Sequence, residues 1–327
     1  MAAPARKRWP LYLVGALVAL GLLIGAVFAS GWYGAADIEE DTAFIVPGGA
    51  SLSSTARKLE DEGLIGSADA FLLRAKVLGS DDPIKAGEFM LPAGASSAQV
   101  LDTLQHGDVI RRFVTIPEGL PSVMVWEALM AEPLLTGDVA VPGEGTVLPD
   151  SYDFERGEAR ADVLARMQSA MSEFVKAEWP KRDSGLPVST IDEALSLAAI
   201  VEKETGVPSE RRMVAGLYSN RLRKGMMLQA DPTIIYPITK GKPLGRRIRR
   251  SEIDAVNGYN TYSMTGLPVG PITNPGRESI LAVLHPAETD AIYMVADGSG
   301  GHAFADTLSG HNDNVAKWRE FRRKQGI

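Results

Sequence analysis

The chain has 327 residues, 45% hydrophobic and 23% charged, a balance that excludes collagen, a disordered tail and a polytopic membrane protein and leaves room for about two folded units. Lys and Arg number 34 against 41 Asp and Glu, a net charge of −7, so the protein as a whole is not built to coat polyanions. Cysteine is absent, which removes disulfides, thiolate zinc sites, iron–sulfur clusters and cysteine nucleophiles, and makes an oxidising compartment harmless.

Arg6, Lys7 and Arg8 precede Trp9-Pro10, and the run from Leu11 to Ala29 carries no charge. It is long enough to cross most of a bilayer's hydrocarbon layer as a helix. Trp9 and Trp32-Tyr33 stand where interfacial anchors would, and Asp37, Glu39, Glu40 and Asp41 follow. The positive-inside tendency then predicts a cytoplasmic tail over residues 1–10, a single transmembrane anchor over 11–33, and an extracytoplasmic or periplasmic location for the rest. A cleavable signal peptide is the alternative, with Ala29-Ser30-Gly31 as its small-residue site. Both readings export the remainder.

The exported part divides near residue 115. Thr42 to Val46 reads as a strand stopped by Pro47-Gly48-Gly49, and Ser51 can cap a helix through Leu52, Ala56 and Leu59 that Gly63 closes. Ser67 opens a second helix, Ala86 to Leu91 returns as a strand, Ser96-Ser97 starts a third helix, and Phe113 to Ile116 is a further strand. The β-α-α-β order over 34–115 resembles a LysM-like carbohydrate-associated module; a plain spacer is the alternative. From Pro121 to Pro180 the pattern is mostly helical, with Val163, Leu164, Met167, Met171 and Phe174 on one stripe. Gly145 to Gly157, including Pro149-Asp150-Ser151-Tyr152, interrupts it as a loop.

The chemistry is concentrated after residue 188. Thr190-Ile-Asp-Glu193 is a capping-box sequence, so a helix starts there and runs through Leu195 to Val201 into Glu202-Lys203-Glu204-Thr205, stopping near Gly206 and Pro208. Its apolar residues cover most of the circumference, which predicts burial on nearly all sides. Two carboxylates then arrive at the C-terminal end, where the helix dipole disfavours anions. Desolvation and dipole both raise a carboxyl pKa, as a general acid near neutral pH requires. A solvated cap or ion pair is the bland alternative. At 100° per residue Glu202 lies at about 20° and Glu204 at about 220°, and periodicity puts Glu202 nearer the centre of the apolar face, so spacing does not choose between them for catalysis.

Downstream, Leu228-Gln229-Ala-Asp231-Pro232-Thr233 places an amide and a carboxylate two apart, and Tyr259-Asn260-Thr261-Tyr262 offers two rings, an amide and a hydroxyl. Such groups suit sugar recognition: rings stack on a pyranose's apolar face while amides bind its hydroxyls. Turn chemistry is the alternative for each block alone. Ala291 to Ala296 followed by Asp297-Gly298 predicts a strand with a turn.

The blocks Ile200-Val-Glu-Lys-Glu-Thr205, Asn220-Arg221-Leu222, Leu228 to Thr233, Tyr259 to Tyr262, Thr265-Gly-Leu-Pro268, Asn274-Pro-Gly276, His285-Pro286 and Val295-Ala-Asp-Gly298 with Gly301-His302 occur in this order. Together they resemble the endolytic murein transglycosylase (YceG-like) family, closely over about residues 190 to 313; the Pro149-Asp150-Ser151-Tyr152 loop matches only loosely. The resemblance implies cleavage of the MurNAc-β-1,4-GlcNAc bond of nascent peptidoglycan strands, without water as nucleophile and without a cofactor. One glutamic acid serves as acid and then as base, and a 1,6-anhydro end results. It assigns that role to Glu204, leaves Glu202 as a supporting carboxylate, and makes Gln229, Asp231, Tyr259, Asn260, Thr261 and Tyr262 candidates for lining the glycan cleft. It also implies partnership with penicillin-binding proteins or other wall-synthesis proteins.

The expected architecture is α+β: the anchor, the small LysM-like domain over 34–115, and a catalytic domain over 116–327 that is helical first and strand-rich later. Other classes remain. His106, His285, His302 and His311 have no metal-binding spacing. Arg246-Arg247-Ile-Arg249-Arg250 on an exported acidic protein suits anionic peptide stems, lipid headgroups or an acidic partner better than nucleic acid. A non-catalytic glycan-binding scaffold has no use for an acid with a raised pKa, and a hydrolytic muramidase needs a second carboxylate, for which Asp231 is the candidate.

Overall fold

The computed structural model describes residues 9–36 and 38–326; Arg6, Lys7, Arg8 and Asp37, on which the topology expectation leans, lie outside them. The chain divides into two compact units between residues 112 and 113.

In the first unit, helix α1 (Trp9–Tyr33) is long and apolar enough to cross a membrane from Tyr12 to Tyr33. Its outward residues such as Leu17 and Leu22 are exposed, but Trp32 is not an interfacial anchor: it is buried against Phe71, ring centroids 5.6 Å apart. Strand β1 (Thr42–Val46) pairs antiparallel with β2 (Gly87–Leu91), and between them run α2 (Leu52–Asp61) and α3 (Ala68–Leu78); α4 (Ser97–His106) follows. Ser51, Ser67 and Ser96 cap these helices through their hydroxyls, and Ser54 and Gln99 close capping boxes. Phe44 faces Phe89 across the two strands, and both are buried with Leu59, Phe71 and Leu101 in one core. That core accounts for the apolar spacing of all three helices.

Strand β3 (Arg111–Thr115), which runs through the division into the second unit, pairs with β4 (Ser151–Glu155), and α5 (Ser122–Ala131) lies between them in sequence. The expected loop from Gly145 to Gly157 therefore contains a strand. Its pairing is reinforced where the Ile116 amide donates to the Asp150 carbonyl at 2.9 Å and the Thr115 and Ser151 hydroxyls meet at 2.8 Å. Helix α6 (Arg160–Glu178) buries Val163, Met167 and Met171, as its stripe predicts.

Next come α7 (Ile191–Glu204), α8 (Arg211–Arg223), α9 (Pro232–Thr239), the short α10 (Arg250–Ile253) and α11 (Arg277–Leu284). The hairpin β5 (Tyr293–Ala296) with β6 (His302–Ala305) and α12 (Leu308–Gln325) complete the unit. The late half is thus not strand-rich: among the described residues it holds one hairpin, beside helices and an irregular stretch over residues 254–276. Helix α7 packs against α8 and α11 and is buried continuously from Ala194 to Val201, the consequence of apolar residues on every side.

Candidate active site

Glu204 is the last residue of α7. The Thr190 hydroxyl accepts from the Glu193 amide at 3.1 Å and the Glu193 carboxylate returns to the Thr190 amide at 3.2 Å, which fixes where the helix begins. At the other end Thr205 turns extended, at φ −135° and ψ 129°, so the helix stops with the Glu204 side chain at its negative pole. Glu204 Oε1 is shut off from solvent and has no hydrogen-bond partner. Burial, reinforced by the negative charge of Asp231, pushes this carboxyl up to about 7, while Arg221 and the Tyr218 hydroxyl favour the ionised form. The sum is a carboxylic acid that holds its proton near neutrality and can part with it.

Tyr218 and Arg221 are one turn apart on α8, and both are buried. Arg221 donates from Nε to the Ile292 carbonyl at 2.7 Å and from Nη1 to the Leu228 carbonyl at 2.6 Å, tying the approach to β5 to the segment that carries Gln229 and Asp231. Gln229 is exposed and sits at φ 54°, a left-handed conformation uncommon outside glycine and often met at functional sites. Its amide donates to the Thr261 carbonyl at 3.1 Å. Asp231, also exposed, accepts a 2.6 Å hydrogen bond from the Tyr262 hydroxyl. Burial and the bond to Asp231 push the Tyr262 phenol up, keeping it a donor.

Two expected cleft residues are spoken for by the fold. Asn260 is fully buried; its Nδ2 reaches the carbonyls of Ile253 and Ala255 at 2.9 and 2.6 Å, and its Oδ1 accepts from the Tyr262 amide at 3.0 Å. Thr261 is fully buried as well, its hydroxyl 2.8 Å from that of Thr233 and accepting from the Ala230 amide at 3.0 Å. Both side chains are turned into the fold. They hold two loops together so that Gln229, Asp231 and Tyr262 are presented. Tyr259 is half-buried, its ring tilted against Tyr236 with centroids 4.7 Å apart.

Glu202 points elsewhere. Its Oε2 accepts from the Gly276 amide at 2.9 Å and its Oε1 lies 3.9 Å from Arg211, so it braces the Asn274-Pro275-Gly276 turn. Beyond Glu204, the Thr205 hydroxyl donates to Glu210 at 3.2 Å, and Glu210 takes both the backbone amide and Nδ1 of His302, at 2.8 and 2.9 Å. Sequence reasoning missed Tyr218, whose position reads as plain core. It met Arg221 and Gly301 only as members of motif blocks, and His302 there and among the four histidines without metal-binding spacing.

Residues 44–317 match the YceG-like family. The chain is 28% identical over 334 aligned residues to the endolytic murein transglycosylase of Bacillus subtilis strain 168, spanning 91% of each. It is 26% identical to the endolytic murein transglycosylase of Streptococcus pneumoniae strain D39, over 83% of this chain and 57% of that one. A crystal structure of a YceG-like protein from Listeria monocytogenes is similar over 84% of this chain and 99% of that chain, with a TM-score of 0.51 and 25% identity.

Proposed function

The chain belongs to the YceG-like family, and we propose that it is an endolytic peptidoglycan lytic transglycosylase in which Glu204 is both acid and base. The observation that carries this reading is the Glu204 carboxyl at the end of a buried helix, its Oε1 shut off from solvent without a hydrogen-bond partner and its pKa pushed up to about 7 by burial, in a chain similar over most of its length to proteins named for that activity.

The protonated Glu204 gives its proton to the glycosidic oxygen between N-acetylmuramic acid and N-acetylglucosamine as the C1–O bond breaks. The resulting carboxylate takes the proton of the muramoyl C6 hydroxyl, whose oxygen forms the new bond to C1. Atoms balance without water: one glycosidic bond is exchanged for an internal 1,6-anhydro bond, and Glu204 ends as it began. A pKa near the working pH suits both halves of the cycle. Gln229, Asp231 and Tyr262 line the cleft in this reading, with Tyr259 at its edge, and Glu202 supports it.

Helix α1 serves as a single-pass anchor in the cell membrane with the N-terminus in the cytoplasm and the catalytic unit outside, a topology supported by the basic residues before the helix and the acidic ones after it. The β-α-α-β unit, with its antiparallel strand pair, is a LysM-like glycan-associated module, and wall-synthesis enzymes such as penicillin-binding proteins are the partners.

The test is mass spectrometry of the ends produced when the full-length protein digests peptidoglycan. Ends in 1,6-anhydro form support the reading. Reducing ends mean a hydrolytic muramidase using Asp231 as its second carboxylate, and no cleavage by folded protein means a glycan-binding scaffold.

A further inference from the structure

A concavity borders the hydrogen-bonded chain of Thr205, Glu210 and His302. It has a volume of about 470 Å³ and is walled by the β5–β6 hairpin around Gly298, Gly301 and His302 on one side and by Trp318, Phe321 and Gln325 of α12 on the other. Trp318 and Phe321 stack with ring centroids 5.6 Å apart and planes at 16°. Gly298, at φ 93°, lies under Phe321 so closely that a Cβ there would come within 2.8 Å of the ring. The hairpin loop is thus glycine so that an aromatic wall can approach it. His302 has Nδ1 committed to Glu210, which leaves Nε2 as the ring's other polar atom. The aromatic wall lies past residue 317, where the family match ends.

We propose that this cavity is a saccharide-binding subsite, taking an N-acetylhexosamine unit of the glycan strand away from the bond that is cut. The inference rests on the transglycosylase reading of Glu204. The volume is in the range of small-ligand sites, and aromatic faces with a few polar groups are the chemistry that binds a pyranose. Trp318 and Phe321 offer the apolar platform, and His302 Nε2 and the exposed Gln325 amide reach for hydroxyl or acetamido groups. Thr205, Glu210 and His302, linked in that order at 3.2 and 2.9 Å, tie this wall of the cavity to the residue next in the chain after Glu204.

The experiment uses full-length protein carrying Glu204→Gln in detergent micelles, labelled with 5-fluorotryptophan, and peptide-free glycan strands as the probe. Trp318→Phe assigns the Trp318 fluorine resonance. The proposal expects that resonance to shift saturably with glycan while those of Trp126 and Trp179 stay put. By calorimetry it expects Trp318→Ala to weaken binding about tenfold, and Gln325→Ala, at the lip and outside the packing, to weaken it about threefold. A Trp318 resonance that stays still while calorimetry shows saturation overturns the proposal. So does a dissociation constant within twofold of the parent for a Trp318→Ala protein of unchanged melting temperature. Cleavage by the wild type is scored separately, so loss of this subsite and loss of the transglycosylase reading give different results.

Discussion

The Tyr262 hydroxyl donates a 2.6 Å hydrogen bond to the Asp231 carboxylate, and this contact fixes the negative charge that acts, after burial, to keep Glu204 protonated. The acid is therefore tuned from a loop, and the tuning can be removed without touching Glu204.

Asp231→Asn removes the negative charge. Ionisation of Glu204 becomes easier, so its pKa falls from about 7 toward the ordinary carboxyl range. General-acid activity needs the protonated form, so the alkaline limb of the pH profile of kcat/KM moves to lower pH. Titration of Glu204 by carboxyl-selective NMR reports the same direction even if the rate is too low to follow. A move to higher pH contradicts the assignment.

Glu204→Gln has opposite effects on activity and stability. The folded-state pKa of about 7 stands above the ordinary 4.5, so folded protein holds this proton more tightly than unfolded protein. The stabilisation is whole below about pH 4.5 and is lost as pH rises through about 7, on the order of 3 kcal/mol in total. A neutral Gln has no such loss. The variant is expected to match the wild type in chemical denaturation at pH 4 and to exceed it at pH 8. Equal stability at both pH values would show that the carboxyl is solvated.

Glu202→Ala strips the Gly276 amide of its acceptor and Arg211 of a neighbouring charge. The expected cost is about 1–3 kcal/mol of stability, measured by denaturant midpoint. The identity of the glycan ends is expected to stay the same. A protein of normal stability with altered product chemistry would move Glu202 into the reaction.

Asn260→Ala is expected to destabilise the fold by about 2–3 kcal/mol, because three carbonyls, of Glu252, Ile253 and Ala255, lose their shared donor. If the residue instead touches substrate, KM rises with no change in melting temperature.

Gly216→Ala reverses a general rule. In a helix this change usually gains about 1 kcal/mol, but here the added Cβ would stand 2.5 Å from the Ala287 carbonyl oxygen. Backbone cannot step aside as a flexible side chain can, so a loss of about 1–3 kcal/mol is expected. Thermal unfolding decides the sign.

What was legible in the sequence was local. Ser51, Ser96 and Thr190 announce helix starts because capping is settled within four residues, and the burial of α7 follows from its composition alone. The choice between Glu202 and Glu204 was not legible, because it depends on partners far along the chain: Gly276 for Glu202, Asp231 and Arg221 for Glu204. Asn260 and Thr261 look like ligand groups in sequence because polarity does not say whether a side chain meets sugar or backbone. Trp32 misleads for the same reason, an amphipathic ring that suits an interface but fills a core. Strand β4 was hidden by the Pro149-Asp150 turn and by its shortness, and exists because β3 pairs with it.

The most direct measurement compares wild type, Glu204→Gln and Glu202→Gln at full length on the same peptidoglycan, with glycan ends read by mass spectrometry. Wild type and Glu202→Gln are expected to give 1,6-anhydro ends, and Glu204→Gln alone to lose them, by a factor of about 10²–10⁴ in rate. Anhydro ends that persist in Glu204→Gln and vanish in Glu202→Gln would place the acid at Glu202 instead.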